Sequence, residues 1–123
     1  MAADKKIENF EAFWPYYVGE HRVPLCRKLH FVGTTLAFGC VGAAVATGNP
    51  MLLFGAPLAG YGFAWVGHFI IERNRPATFT YPLWSLRGDM RMYGLMLRGK
   101  MDAEVTRLYG SAQPAPDAPL QTA

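Results

Sequence analysis

Charged residues in this chain stop at Lys28 and do not resume until Glu72. The 43 residues from Leu29 to Ile71 contain no Asp, Glu, Lys or Arg, so all 21 charged residues (12 basic, 9 acidic) lie outside that window. A small soluble domain spreads charge along its helices because each helix has a wet face. Thr47-Gly48-Asn49-Pro50 interrupts the uncharged window near its middle. Glycine accepts positive φ and proline restricts the residue before it, so this is a turn. The halves, Leu29–Gly48 and Met51–Ile71, each reach roughly 30 Å as a helix, the thickness of a bilayer's hydrocarbon core. Small residues recur four apart as Gly33/Ala37, Gly39/Ala43, Gly55/Ala59 and Gly60/Ala64. That spacing lets two helices approach closely in lipid, Gly60 included. Pro57 should kink the second helix or lie in its first turn.

The flanks follow a helical period. Ile7, Phe10, Phe13, Trp14 and Tyr17 form an aromatic stripe, with Pro15 expected to break or kink its helix. After the hairpin, Leu83, Leu86, Met90, Tyr93, Leu97 and Met101 mark one face, and Arg87, Arg91 and Arg98 lie off it. This is the pattern of an amphipathic helix at a membrane surface. Residues 102–109 fit a last short helix. The expected fold is therefore all-α: a membrane helical hairpin flanked by amphipathic surface helices. Residues 1–110 form a single domain, and 111–123, SAQPAPDAPLQTA, form a disordered tail.

Charge orients the hairpin. Arg22, Arg27 and Lys28 precede it and Arg73, Arg75, Arg87 and Arg91 follow it, while the Gly-Asn turn carries none. The positive-inside rule then places both termini in the cytoplasm, of a bacterial inner membrane or the endoplasmic reticulum. The start, MAADKKIENF, has no apolar core, so insertion is expected to use the internal segments. The net charge of +3 is modest and flanks membrane segments, which fits anionic lipid and not nucleic acid. Cys26 and Cys40 match no metal or redox spacing.

Candidate chemistry comes from the three histidines. His30 lies 19 residues before Asn49 and His68 lies 19 residues after it. An antiparallel hairpin folded at that turn holds both at one depth, on the basic side. Packed helices lie about 8–10 Å apart, so two facing imidazoles can share one ion. His21, nine residues before His30, can fold over the same spot. Ionisable groups at membrane depth are expensive to place there and mark a candidate site. Read singly, each is also an ordinary interfacial histidine. Glu72 follows His68 by four residues on the same helical face. It can complete a two-His-one-carboxylate set, orient a ligand, or pair with Arg73 or Arg75. Asp89 is a weaker candidate.

Two stretches, FEAFWPYYVGEHRVPLCRKLHFVGT (10–34) and WVGHFIIERNRPATFTYPLWSLRGD (65–89), carry a family resemblance. They resemble the small membrane proteins related to the fungal 2-hydroxy fatty acid dioxygenase. The resemblance implies a membrane enzyme that uses Fe²⁺ and O₂ to shorten 2-hydroxy fatty acids by one carbon. It also implies that His21, His30 and His68 bind or support the iron. This chain departs from the fungal pattern in having one hairpin and Arg22-Val23 after the first histidine. With such a substrate, Glu72 would act in catalysis and Arg73 or Arg75 would bind the carboxylate, although both arginines also serve as membrane anchors. The competing reading is a non-catalytic membrane hairpin that binds lipid or a partner protein. A closed structural zinc site would need a fourth ligand that the sequence does not place.

Overall fold

A computed structural model describes residues 7–121. Helix α1 spans Phe10–Gly19, α2 Pro24–Thr47, α3 Gly55–Val66, α4 Pro82–Leu97 and α5 Met101–Tyr109. Among the described residues the fold is all-helical, without strands. The hairpin turns where the sequence predicts. Gly48 ends α2 in the left-handed region (φ 71°), and the Asn49 side chain accepts the Met51 N–H. Pro50–Phe54 winds as a 3-10 turn into α3, which places Pro57 in the first turn of that helix.

Two stretches, Pro24–Thr47 and Pro50–Glu72, are long and apolar enough to cross a membrane, and only 17% and 11% of their most apolar windows are buried. Leu36, Val45, Leu58 and Ile70 point outward. Such surfaces are costly in water, so the outward faces suit lipid. The two helices meet most closely at three glycines. A Cβ on Gly33 would lie 2.9 Å from both Ala59 O and Phe63 Cβ, and one on Gly67 would lie 2.9 Å from Cys26 Sγ. A Cβ on Gly55 would likewise lie 2.7 Å from Cys40 Sγ. Gly60 is not such a point, since its nearest neighbour would be Ala37 Cβ at 3.9 Å. The close contact expected at Gly60 is replaced by space.

The buried core lies outside the hairpin. The α1 stripe, Phe10, Phe13, Trp14, Tyr17 and Val18, packs with Ala77, Met92, Met101 and Val105 into one cluster. Burying a side chain such as Phe13 contributes about 1.5–3 kcal/mol. The helix runs through Pro15 without a break. Polar contacts fix the assembly: the Trp14 indole N–H donates to Glu104 (2.7 Å), and the Tyr109 hydroxyl donates to Pro15 O (2.6 Å). Arg87 lies 4.1 Å over the Phe10 ring and Arg91 4.5 Å over that of Trp14, so these cations knit α4 to α1. Tyr93 stacks on Phe31 and shares a 2.9 Å hydrogen bond with Thr35, seating α4 against α2.

From Ser111, where composition predicts disorder, the chain to Gln121 has no helix but is engaged by two arginines. Arg22 Nη1 donates to the carbonyls of Ala115, Pro116 and Ala118, and Arg27 Nη2 donates to Ala112 O. Arg27 is fully buried and also holds the carbonyls of His21 and Arg22 and the carboxylate of Asp102. It therefore fastens the turn that carries His21.

Candidate metal centre

Each histidine reaches the same point from a different element. His21 sits in the turn after α1, His30 in the second turn of α2, and His68 in a π-helical turn, Gly67–Glu72, that ends α3. All three are buried. Gly67, lacking a Cβ, lets the backbone next to His68 close on Cys26. π-Turns are wider than α-turns and recur at functional sites.

The rings surround a common centre. Their centroids lie 4.5, 4.5 and 4.9 Å apart, and each pair is nearly perpendicular at 76°, 80° and 87°. One ring nitrogen from each falls within 4.8 Å of the others.

The hydrogen bonds fix which nitrogens carry protons. His21 Nδ1 lies 2.7 Å from Tyr17 O and His30 Nδ1 2.8 Å from Cys26 O. Carbonyls only accept, so both Nδ1 atoms are N–H donors. His68 Nδ1 lies 2.8 Å from Asn74 Oδ1. The Asn74 amide nitrogen already donates to the Glu20 backbone carbonyl (3.1 Å) and carboxylate (2.5 Å), so its oxygen is the acceptor. The neutral imidazoles thus all present bare Nε2 lone pairs to the centre. Burial and the neighbouring His30 and His68 hold the His21 pKa well below its ordinary value, which keeps that ring neutral.

This donor set fits a cation. His21 Nε2 and His30 Nε2 are 3.1 Å apart with no proton to share, which is repulsive unless a positive ion lies beside both. Engagement of each Nδ1–H by an oxygen is the usual support of metal-bound histidine. The cavity between the rings measures about 20 Å³, room for an ion or one water.

The other expected site residues lie elsewhere. Glu72 accepts the Val23 N–H at 2.6 Å, where it caps the start of α2. Arg73 is exposed and is the one non-glycine residue with positive φ (59°) among the described residues. Arg75 is exposed, with its guanidinium 5.2 Å over the Phe79 ring. None of the three lines the histidine cavity.

Three other side chains do line it: Tyr17, Ser85 and Asp89. The Tyr17 hydroxyl hydrogen-bonds to Asp89. Burial pushes the Asp89 carboxyl up to about 6. Ser85 Oγ is the one buried side-chain polar atom without a partner among the described residues. Tyr17 stands four residues before His21, a helical neighbour the sequence displays. Nothing in the sequence singles out Asn74 or Ser85.

Residues 7–101 match the family described as 2-hydroxy-palmitic acid dioxygenase Mpo1-like. The chain belongs to that family. No curated protein and no solved structure matches it. The family's reach takes in all three histidines, Asn74, Ser85 and Asp89, and ends at the first residue of α5.

Proposed function

We propose that this chain is a membrane-embedded, Fe²⁺-dependent dioxygenase that shortens 2-hydroxy fatty acids by one carbon. In the net reaction the 2-hydroxy acid and O₂ give the acid one carbon shorter, CO₂ and water. The observation that carries the reading is the convergence of three bare Nε2 atoms, each ring held through Nδ1–H by an oxygen. The family's description supports the substrate class.

His21, His30 and His68 would hold the ion. Fe²⁺ with three imidazoles retains open positions for a chelating 2-hydroxy acid and for O₂. Among the described residues no fourth His, Cys, Asp or Glu joins the cluster, which suits an open site better than closed structural zinc. Tyr17 O and Cys26 O orient two rings and Asn74 the third. The hydroxyl of Ser85 is free to bond a polar group in the cavity. Since neither Arg73 nor Arg75 lines the cavity, the substrate carboxylate meets no cationic side chain among its lining residues. Both termini and the histidine end of the hairpin face the cytoplasm in this reading, with the Gly48-Asn49 turn on the far side.

The test is metal analysis and turnover of detergent-purified protein with single alanine substitutions. His21→Ala, His30→Ala and His68→Ala should each lower iron content and abolish consumption of 2-hydroxyhexadecanoic acid, while membrane insertion persists. Wild-type iron and activity in all three would return the lead to a non-catalytic hairpin.

A further inference from the structure

A second cavity of about 160 Å³ opens beside the histidines, between α2, α3 and α4. His30, Tyr61, Ala64 and Asp89 line both cavities, so the two adjoin at the candidate metal centre. Away from that shared end the lining becomes apolar: Ala37 and Phe38 from α2, Ala56 and Pro57 from α3, Leu86 and Met90 from α4. Its long direction follows the helices. From His30 to Ala37 is seven residues, about 10 Å of helix.

Space exists here because the wall stops short. Gly60 lies on the α3 side, and a Cβ added to it would meet only Ala37 Cβ, at ordinary contact distance of 3.9 Å. At Gly33, by contrast, the helices touch. The hairpin is thus closed on one side and parted on the side that α4 covers. The histidine cavity has room for an ion or a water but not for a chain, whereas the groove beside it has that room. The unpartnered Ser85 Oγ, 3% exposed, lines the adjoining histidine cavity and can meet a polar head group there.

We propose that this groove seats the acyl chain of one fatty acid, and that Gly60 with Ala37 sets how long a chain is accepted. The proposal rests on the dioxygenase reading for its head group and adds the residues that select the tail. The polar end takes the carboxylate and 2-hydroxyl, and the parted helices take the methylenes. A side chain at residue 60 would fill the groove from its wall without pressing on backbone. One methylene gained or lost in an apolar pocket changes selection by roughly tenfold or more.

The experiment uses the full chain in detergent micelles and two readouts. In the first, palmitic acid carrying a diazirine midway along its chain is photolysed with the protein, and the labelled residues are mapped. In the second, turnover is followed for acids from 2-hydroxyoctanoic to 2-hydroxyhexadecanoic. The variants are a ladder, Gly60→Ala, Gly60→Val and Gly60→Leu, so that a milder step remains if the largest misfolds. Gly62→Leu, exposed with open space around it, is the lipid-facing control.

Expected is labelling of Ala37, Phe38, Ala56 or Met90 that falls along the ladder and persists in Gly62→Leu. The preferred chain should shorten along the same ladder, with roughly tenfold or greater loss against the longest acid. Labelling spread over outward residues such as Val45 and Leu58, unchanged by Gly60→Leu, overturns the groove. So does turnover with an unchanged chain-length profile, which leaves the dioxygenase reading standing. Groove labelling without turnover of any acid supports the groove and sinks the dioxygenase reading.

Discussion

Asn74 accepts the His68 Nδ1–H at 2.8 Å and, through its amide nitrogen, donates to Glu20 at the end of α1. One side chain therefore fixes the tautomer of a ring on the hairpin and ties that ring to the element bearing His21. Asn74→Ala should weaken metal affinity about 10–100-fold, the usual effect of losing the partner of a metal-bound histidine. Competition for Fe²⁺ with a calibrated chelator measures it. Unchanged affinity would mean that packing alone orients His68.

Glu72 bonds the Val23 N–H at the start of α2. Glu72→Ala should keep full iron content and lower thermal stability in detergent by about 1–3 kcal/mol, the cost of losing a hydrogen bond to a charged acceptor at a partly buried donor. Loss of iron with unchanged stability would make the carboxylate a ligand instead.

Gly33 is where α2 meets the α3 backbone. Gly33→Leu should destabilise the hairpin by about 1–3 kcal/mol, because the added atoms must displace Ala59 O and Phe63. Gly39→Leu, with nothing within 4 Å, should leave thermal unfolding unchanged.

Asp89 is buried against Tyr17, and its carboxyl titrates near pH 6 in place of the ordinary 3.8. A raised acid favours the folded state when protonated, so the stability this group adds is complete below about pH 3.8 and is lost as pH rises from there to about 6. Asp89→Asn keeps an acceptor for Tyr17 without the charge. It should be more stable than wild type at pH 7 by on the order of 1–3 kcal/mol, a gap that closes toward pH 4. A pH-independent gap in unfolding midpoints would refute the assignment.

Single cysteines introduced into a cysteine-free background test orientation. A cysteine at Asn49 should react with impermeant reagent from the non-cytoplasmic face, and one at Ser111 only from the cytoplasm. Labelling of both from the same side contradicts a two-span hairpin.

Hydropathy and turn chemistry are local, which is why the two long apolar helices, the Gly48-Asn49-Pro50 turn and the meeting of His30 with His68 at the open end of the hairpin are legible in the sequence. The α1 stripe is legible too, but not its destination: a period of 3.6 says that one face is covered without saying by what. It packs on α4 and α5 as well as on its own turn. The i, i+4 argument that links Glu72 to His68 presupposes α-winding. Gly67–Glu72 is π-wound, and in that wider turn Asn74, six residues on, meets the ring while Glu72 turns to Val23. Ser85 and Asp89 reach the cavity only because Tyr93 and Gly88 seat α4 against α2 and Tyr17, a tertiary relation with no sequence signature.

His21 belongs to the aromatic cap, whereas His30 and His68 belong to the hairpin. A freshly inserted hairpin therefore owns two of the three donors and cannot finish the centre until the cap has folded onto it. Whatever affinity the third donor adds is free energy of docking. In the proposed iron reading, metal loading then reports completed assembly, and without iron the chain would keep its hairpin but hold its cap loosely, more open to proteases at the end that carries the histidines.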